Sequence, residues 1–359
     1  MGAPHDLSSV APTLEAAGLK PEHVRAVMCM TEGDGFARGF CELAFANYFA
    51  DALGLPRASV PRRIPMIMIG GCSGLVSPYA ALFCEDPGLW AQPGSSAGGG
   101  LAIAVGTTAD ISMVDFGRRR MVELVAAKVR ELVEMAGMTP ADVHCVQIKA
   151  PWPSGAALSA AAATGVSVAT TSEGVAGLLS RSAGALGVAL ALEELPAGAI
   201  TDQAIGRDFN FYSQVASASA GTERTDVAVM VMGNAPCSAS PFRIGHALLK
   251  DGADLSGVYS ALASAGVGAD RPLSPGPDNP VDHVFLKSAV ELTGSCRGRR
   301  HVLGSDYLGP YSWLIAKAVV HTLVTSVVGD PMMQVSGGGE HQGIPGGGAV
   351  AIVARRTMG

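Results

Sequence analysis

Two stretches of this 359-residue chain set a serine four residues ahead of a glutamate, with small residues between. Val215 to Glu223 reads VASASAGTE and Gln334 to Glu340 reads QVSGGGE, so Ser219 goes with Glu223 and Ser336 with Glu340. A degraded copy, MIGGCS at Met68 to Ser73, has Ile69 and Ser73 at those places. Each copy is an apolar, strand-like run that breaks into small residues, which leave backbone N–H groups open to a ligand. Upstream of each copy a second run ends on one residue: Lys149 after VHCVQI, Lys287 after DHVFL, Met30 after VRAVMC. Lysine and serine are thus present together twice and lost together once. A serine hydroxyl is a poor nucleophile until a base takes its proton. Lysine serves as that base when burial or a nearby positive charge lowers its pKa. The N–H groups at Ala220–Gly221 and Gly337–Gly338 offer an oxyanion hole. The implied chemistry is acyl transfer, most simply amide hydrolysis. Taken singly, a serine in a glycine-rich turn is ordinarily structural and a strand-end lysine ordinarily faces water. The repetition of the pair, and its joint loss, lift it above that background.

These residues need elements to hold them. Helical periodicity is strongest in MVELVAAKVRELVEMAG, 121–137. Three helices end in Ala-Gly, at 17–18, 136–137 and 265–266, where glycine suits a C-cap. The strand that follows delivers Met30, Lys149 or Lys287. Further helices are expected over 39–53, 181–194 and 312–328, and strands over 66–69, 101–106, 144–148, 226–232, 283–287 and 349–354. Smaller echoes are Ser77-Pro78 with Ser240-Pro241 and Gly117-Arg118 with Gly245-His246. The period is too long for a solenoid. We expect an α+β protein of α/β-type repeats. Three homologous units, 1–108, 109–241 and 242–359, would surround one central site with pseudo-threefold symmetry.

Composition excludes several classes. A net charge of −6 and 16% charged residues give no footprint for nucleic acid. No apolar run is read as reaching the roughly 18 residues of a membrane span, and no signal pattern opens the chain. Seven scattered cysteines without CxxC suit a reducing cytoplasm and argue against a disulfide frame or structural zinc. The eight histidines show no HxH or HExxH spacing, against a catalytic metal. The GGG runs lack the strand–GxGxxG–helix context of a dinucleotide site.

The chain resembles the cyanuric acid hydrolase/barbiturase family of ring-opening amidohydrolases. The segments that carry the resemblance are TEGDGFARGF (31–40), IGGCSGLVSPY (69–79), SRSAGALGVALALEE (180–194), VASASAGTE (215–223), MGNAPCSASPFRIGH (232–246), RGRRH (297–301) and the C-terminal VVGDPMMQVSGGGEHQGIPGGGAVAIVA (327–354). The resemblance implies three units around a central pocket, small cyclic imides or ureides as substrates, and no catalytic metal or other cofactor. It makes Ser219 the nucleophile and Lys149 its base. It matches Arg181 and Arg38 to the family's substrate-orienting arginines, alongside Ser336 and Lys287 in the third unit. It also implies a structural divalent cation, Mg or Ca, at Gly339, Glu340, Gln342, Gly343 and Gly347; carboxylate and carbonyl oxygens suit such ions. A homo-oligomer, such as a tetramer, is compatible with it.

The chain departs from the family at Met30 and Ile69, where lysine and serine are expected, and at Tyr311, where the third unit's arginine is expected. An apolar wall from Met30 and Ile69 would suit a ring with a C–H or alkyl edge there, so cyanuric acid itself is not the expected substrate. The expected reaction runs from Lys149 deprotonating Ser219, through attack on a ring carbonyl with the Ser336 turn helping to hold the oxyanion, to protonation of the leaving nitrogen. Lys287 is expected to lower the pKa of Lys149 by repulsion. The alternatives are the same chemistry on another ring or in the ring-forming direction, and a non-catalytic ligand-binding relative.

Overall fold

The computed structural model describes residues 2–33, 35–86 and 98–356. Asp34 of the TEGDGFARGF segment lies outside them. The first unit contains α1 (Val10–Ala16), β1 (Val24–Met30), α2 (Gly35–Leu53), the short α3 (Val60–Arg63), β2 (Met66–Ile69) and β3 (Tyr79–Cys84). Next come β4 (Gly100–Thr107), α4 (Arg119–Met135), β5 (Val143–Pro151), α5 (Gly155–Ala163), α6 (Glu173–Ala191), β6 (Ala216–Gly221) and β7 (Ala228–Ala235). The last third holds β8 (Phe242–Leu249), α7 (Leu255–Ser264), β9 (Val281–Lys287), a small ribbon of β10 (Ser295–Cys296) and β11 (Arg299–Arg300), α8 (Ser312–Val328), β12 (Gln334–Ser336) and β13 (Gly348–Arg355).

The three main sheets share one topology. The second runs β4-β7-β5-β6, the third β8-β13-β9-β12, and the first β3-β1-β2. In each, one parallel pair, β1/β2, β5/β6 or β9/β12, is flanked by antiparallel neighbours. Among the described residues the first sheet has no counterpart of β4 and β8.

Pairing moves one border. β4 is hydrogen-bonded along β7, from Gly100 opposite Ala235 to Thr107 opposite Ala228. It therefore belongs to the second sheet, and the first unit ends before Gly100 rather than at 108. β8 is its equivalent. The Gly117-Arg118 echo of Gly245-His246 fails for the same reason: Arg118 is the N-cap of α4, whereas Gly245 and His246 lie within β8.

Helices cover the sheets through apolar stripes. On α4, Val122, Val125, Ala126, Val129, Leu132 and Val133 recur at helical spacing and are buried. They face α6, where Gly187 removes the side chain that would strike Val125; a Cβ there would lie 2.6 Å from the Val125 Cβ. A turn earlier, Gly184 makes the same allowance for Ile148 and Ala218. Close approach of α6 to β5 and β6 sets the backbone on which the site is built. Two helical stretches, Glu173–Ala191 and Tyr307–Val328, have the length and hydropathy of a membrane span, which corrects the reading that no run is long enough. Within the protein, 67% of the first and 39% of the second is buried. All seven cysteines are free thiols.

Candidate active site

The parallel strand pairs bring the repeated residues together. Lys149 stands opposite Ser219 on β5/β6, and Lys287 opposite Ser336 on β9/β12. Met30 stands opposite Ile69 on β1/β2. A parallel strand pair needs a long crossover, here through α6 or α8, so residues 70 and 49 positions apart meet at strand ends. Both lysines and both serines are buried, as are Met30 and Ile69, which join the hydrophobic core.

The amines reach across unit borders. Lys149 Nζ donates to the Met68 carbonyl of the first unit at 2.7 Å and to the Ala220 carbonyl at 3.2 Å. Lys287 Nζ donates to the Ala218 carbonyl of the second unit at 2.8 Å, to the Gly337 carbonyl at 2.8 Å and to Ser336 Oγ at 3.1 Å. Met68 and Ala218 each precede the position of the serine in their unit. Each lysine therefore holds its neighbour's turn in the same way. Met30 has no donor with which to repeat this.

Helix cations make a second ring of contacts, in the opposite sense. Arg38 on α2 lies 3.7 Å from Glu223 of the second unit. Arg181 on α6 forms two bonds with Glu340 of the third, 2.9 Å from Nε and 2.7 Å from Nη2. Tyr311, at the start of α8, is 59% exposed and supplies no cation. Six residues on, Lys317 does: it is fully buried and donates to the carbonyls of Gly70 and Gly71 of the first unit, at 3.0 and 2.6 Å. The glutamates that answer the arginines are the ones at the Ser-x-x-x-Glu spacing, which gave their positions in the sequence but not their role. Lys317 was not found there, although a lysine on the apolar α8 is itself a signal.

Burial pulls the Lys149 amine below its ordinary pKa, opposed by Glu223, whose carboxylate is 2.9 Å away. The like charge that assists the lowering is Arg38, not Lys287 as expected from sequence. Burial pushes the Glu223 carboxyl up, but Lys149 and Arg38 outweigh it and hold it below the usual range. Glu42 on α2, in the same field, is raised by burial to about 7. Burial, with Arg181 as the main assisting charge, lowers Lys287 to about 7. Burial lowers Lys317 to about 8.

These shifts have a consequence for stability. Unfolded, both amines bind protons with a pKa near 10.5. Between pH 7 and about 9 the unfolded chain therefore holds protons that the folded protein releases, and stability rises with pH. Below pH 7 both states hold these lysine protons, and the contribution of the two amines fades. The slope is at most about 1.4 kcal/mol per pH unit for each amine. Above pH 9 buried thiols act in the opposite sense, Cys145 being raised by burial to about 12. Denaturant titrations at pH 6.5, 7.5 and 8.5 should show the rise, and its slope should shrink in Lys287→Met.

The two serine turns differ in their N–H groups. In the third unit Glu291 accepts from Gly338 N at 2.7 Å and from Gly339 N at 3.3 Å. Of the expected Gly337–Gly338 pair, the Gly338 N–H is thus engaged by the protein's own carboxylate. Among the described residues no side-chain carboxylate bonds the Ala220 or Gly221 N–H. Ser219 Oγ makes one long bond among the described residues, 3.3 Å, to the Ile148 carbonyl.

The polar groups of the glycine-rich loop are bonded within the protein. Both Glu340 oxygens are held by Arg181. Gln342 Oε1 accepts from Ala218 N, and its Nε2 donates to the Gly338 and Glu340 carbonyls. Gly339 O accepts from Gln342 N, Gly343 N donates to Ser213 O, and Gly347 O accepts from Ala289 N. The side-chain oxygens of this set, on Glu340 and Gln342, are thus hydrogen-bonded within the protein. His341, at φ 59°, accepts from Gly206 N at 2.8 Å and ties the loop to the second unit.

Comparison with known proteins follows the same lines. Residues 1–355 match the family model described as "Amidohydrolase ring-opening protein". A cyclic amide hydrolase of Rhodococcus sp. is 57% identical over 99% of this chain and 100% of its own length. A cyanuric acid amidohydrolase of Enterobacter cloacae is 37% identical over 99% of this chain and 97% of its own. The crystal structure of a cyanuric acid hydrolase from A. caulinodans superposes with a TM-score of 0.86 at 32% identity, covering 99% of this chain and 96% of that one. A second cyanuric acid hydrolase structure, described as arising by structural concatenation, gives 0.91 at 32% identity, over 99% and 97%.

Proposed function

The chain belongs to the ring-opening amidohydrolases and is a hydrolase of cyclic amides, and from that premise we propose that Ser219 and Lys149 open the ring. The observation that carries this assignment is the contrast between the two turns. In the third unit Glu291 accepts from Gly338 N–H, whereas no side-chain carboxylate among the described residues bonds the Ala220 or Gly221 N–H. A tetrahedral oxyanion needs N–H groups that are free to meet it.

What supports the reaction is the strand register that sets Lys149 opposite Ser219. Lys149, neutral, takes the Ser219 hydroxyl proton while the serine oxygen bonds to a ring carbonyl carbon. Negative charge develops on the carbonyl oxygen beside the Ala220 turn. As the C–N bond breaks, the ammonium of Lys149 returns the proton to the leaving nitrogen. Water then cleaves the serine ester and leaves a carboxyl group on the opened product. Glu223 keeps Lys149 aimed along the strand end, and Arg38 and Arg181 orient ring carbonyls. The substrate is a cyclic imide, ureide or lactam less symmetric than cyanuric acid, because the first unit offers neither lysine nor serine. A panel of such rings, scored by mass spectrometry for a product one water heavier, tests this. At least one asymmetric ring should be opened faster than cyanuric acid; cyanuric acid as the preferred substrate would refute the substrate assignment.

A second reading has one observation in its favour. Lys287 is hydrogen-bonded to Ser336 and has a pKa near 7, so the third unit holds a formed amine–hydroxyl pair. In that reading Glu291 must first release the Gly338 N–H.

A further inference from the structure

The Arg38–Glu223 and Arg181–Glu340 contacts each set a helix cation of one unit against a glutamate of the next. The third such contact is incomplete. Its cation is Lys317, but the position equivalent to the glutamate is Ser73, whose Oγ donates to the Leu314 carbonyl at 3.0 Å. Lys317 Nζ meets two carbonyls, of Gly70 and Gly71, and the face of Trp313 at 5.7 Å. Among the described residues no carboxylate lies within 4 Å of it, and its third N–H has no hydrogen-bond partner. A buried ammonium without a counter-ion is costly unless an anion completes it.

Its surroundings place it in the site. Gly70 and Gly71 follow Ile69 as Ala220 and Gly221 follow Ser219. The Arg38 guanidinium stands against Gly70, where a Cβ would come within 2.9 Å of it. Lys317 is as fully buried as Lys149 and Lys287, and each amine donates to the carbonyl of the residue after its turn's serine position, Gly70, Ala220 or Gly337. The apolar corner expected from Met30 and Ile69 is therefore charged.

We propose, resting on the ring-opening assignment, that Lys317 is a specificity-determining residue whose unpaired charge selects a ring carrying negative charge on the edge facing the Gly70–Gly71 turn. The ligand is an ionised cyclic imide or ureide, or a ring with a carboxylate substituent there. It supplies the anion that a glutamate supplies to Arg38 and Arg181. With a pKa near 8, Lys317 is charged at neutral pH.

The test measures binding by calorimetry in a Ser219→Ala background, so that no ring is consumed. The probes are an N–H-acidic cyclic imide, ionised at the assay pH of 7.5, and a neutral lactam of the same ring size. Adding Lys317→Met should weaken the ionised imide at least tenfold and leave the lactam within threefold; Lys317→Arg should recover most of the loss. Equal weakening of both rings, or of neither, overturns the proposal. If Lys317→Met does not fold, the Ser219→Ala protein alone decides: it must bind the ionised imide at least tenfold tighter than the lactam, and equal affinity overturns the proposal. Rings opened by the wild type without this discrimination would remove Lys317's role and leave the ring-opening assignment standing. Failure of every ring to bind or to be opened would remove both.

Discussion

Ser219→Ala is expected to lower kcat by roughly a thousandfold or more, the usual loss when a covalent nucleophile is removed. Stability should be almost unchanged, because the hydroxyl makes one long bond among the described residues, to the Ile148 carbonyl. Ser336→Ala should behave differently. Lys287 keeps the Ala218 and Gly337 carbonyls after the hydroxyl is gone, so a loss under tenfold is expected. Steady-state kinetics on the preferred ring, with thermal melts alongside, check both variants. If Ser336→Ala is the inactive one and Ser219→Ala retains turnover, the third unit's pair does the chemistry.

Arg181→Met is expected to cost about 3–5 kcal/mol of folding stability, the penalty for stranding one member of a buried ion pair. Glu340 would lose both of its bonds in a setting where burial already pushes its carboxyl up and the arginine is the main group holding it down. The guanidinium also fills the space beside Gly338, a residue at φ 70° whose Cβ would fall 2.5 Å from Arg181 Nε. Urea denaturation of Arg181→Met, Glu340→Gln and the double variant forms a cycle. The double variant should be less destabilised than the sum of the singles, by about 2 kcal/mol or more. Additive losses would show that the pair does not act as a unit.

Much of this was legible in the sequence because it is local or repeated. The α4 stripe is periodic over four turns, and the Ala-Gly helix ends mark where each central strand begins. The pairing of Lys149 with Ser219 and of Lys287 with Ser336 followed from repetition. What the sequence concealed depends on contacts between distant segments. β4 reads as the end of one unit and hydrogen-bonds into the next, since pairing partners are not encoded in the strand itself. Glu340 sits in a glycine loop that suits an ion, and only the fold brings Arg181 to it. Lys317 was hidden by register: a position-by-position alignment looks at Tyr311, whereas the helix delivers its charge nearly two turns later. Glu291 lies on a short 3₁₀ turn with no motif around it.

The closing contacts join the first unit to the third. Lys317 and the Leu314 carbonyl fasten to Gly70, Gly71 and Ser73, some 240 residues earlier, at separations of 247, 246 and 241. During synthesis the first unit must wait on the ribosome until α8, some 240 residues later, has emerged before that neighbour arrives. Truncation after β11 should therefore leave a nascent chain exposed to chaperones and proteases, and the final helix should act as the clasp that ends that exposure.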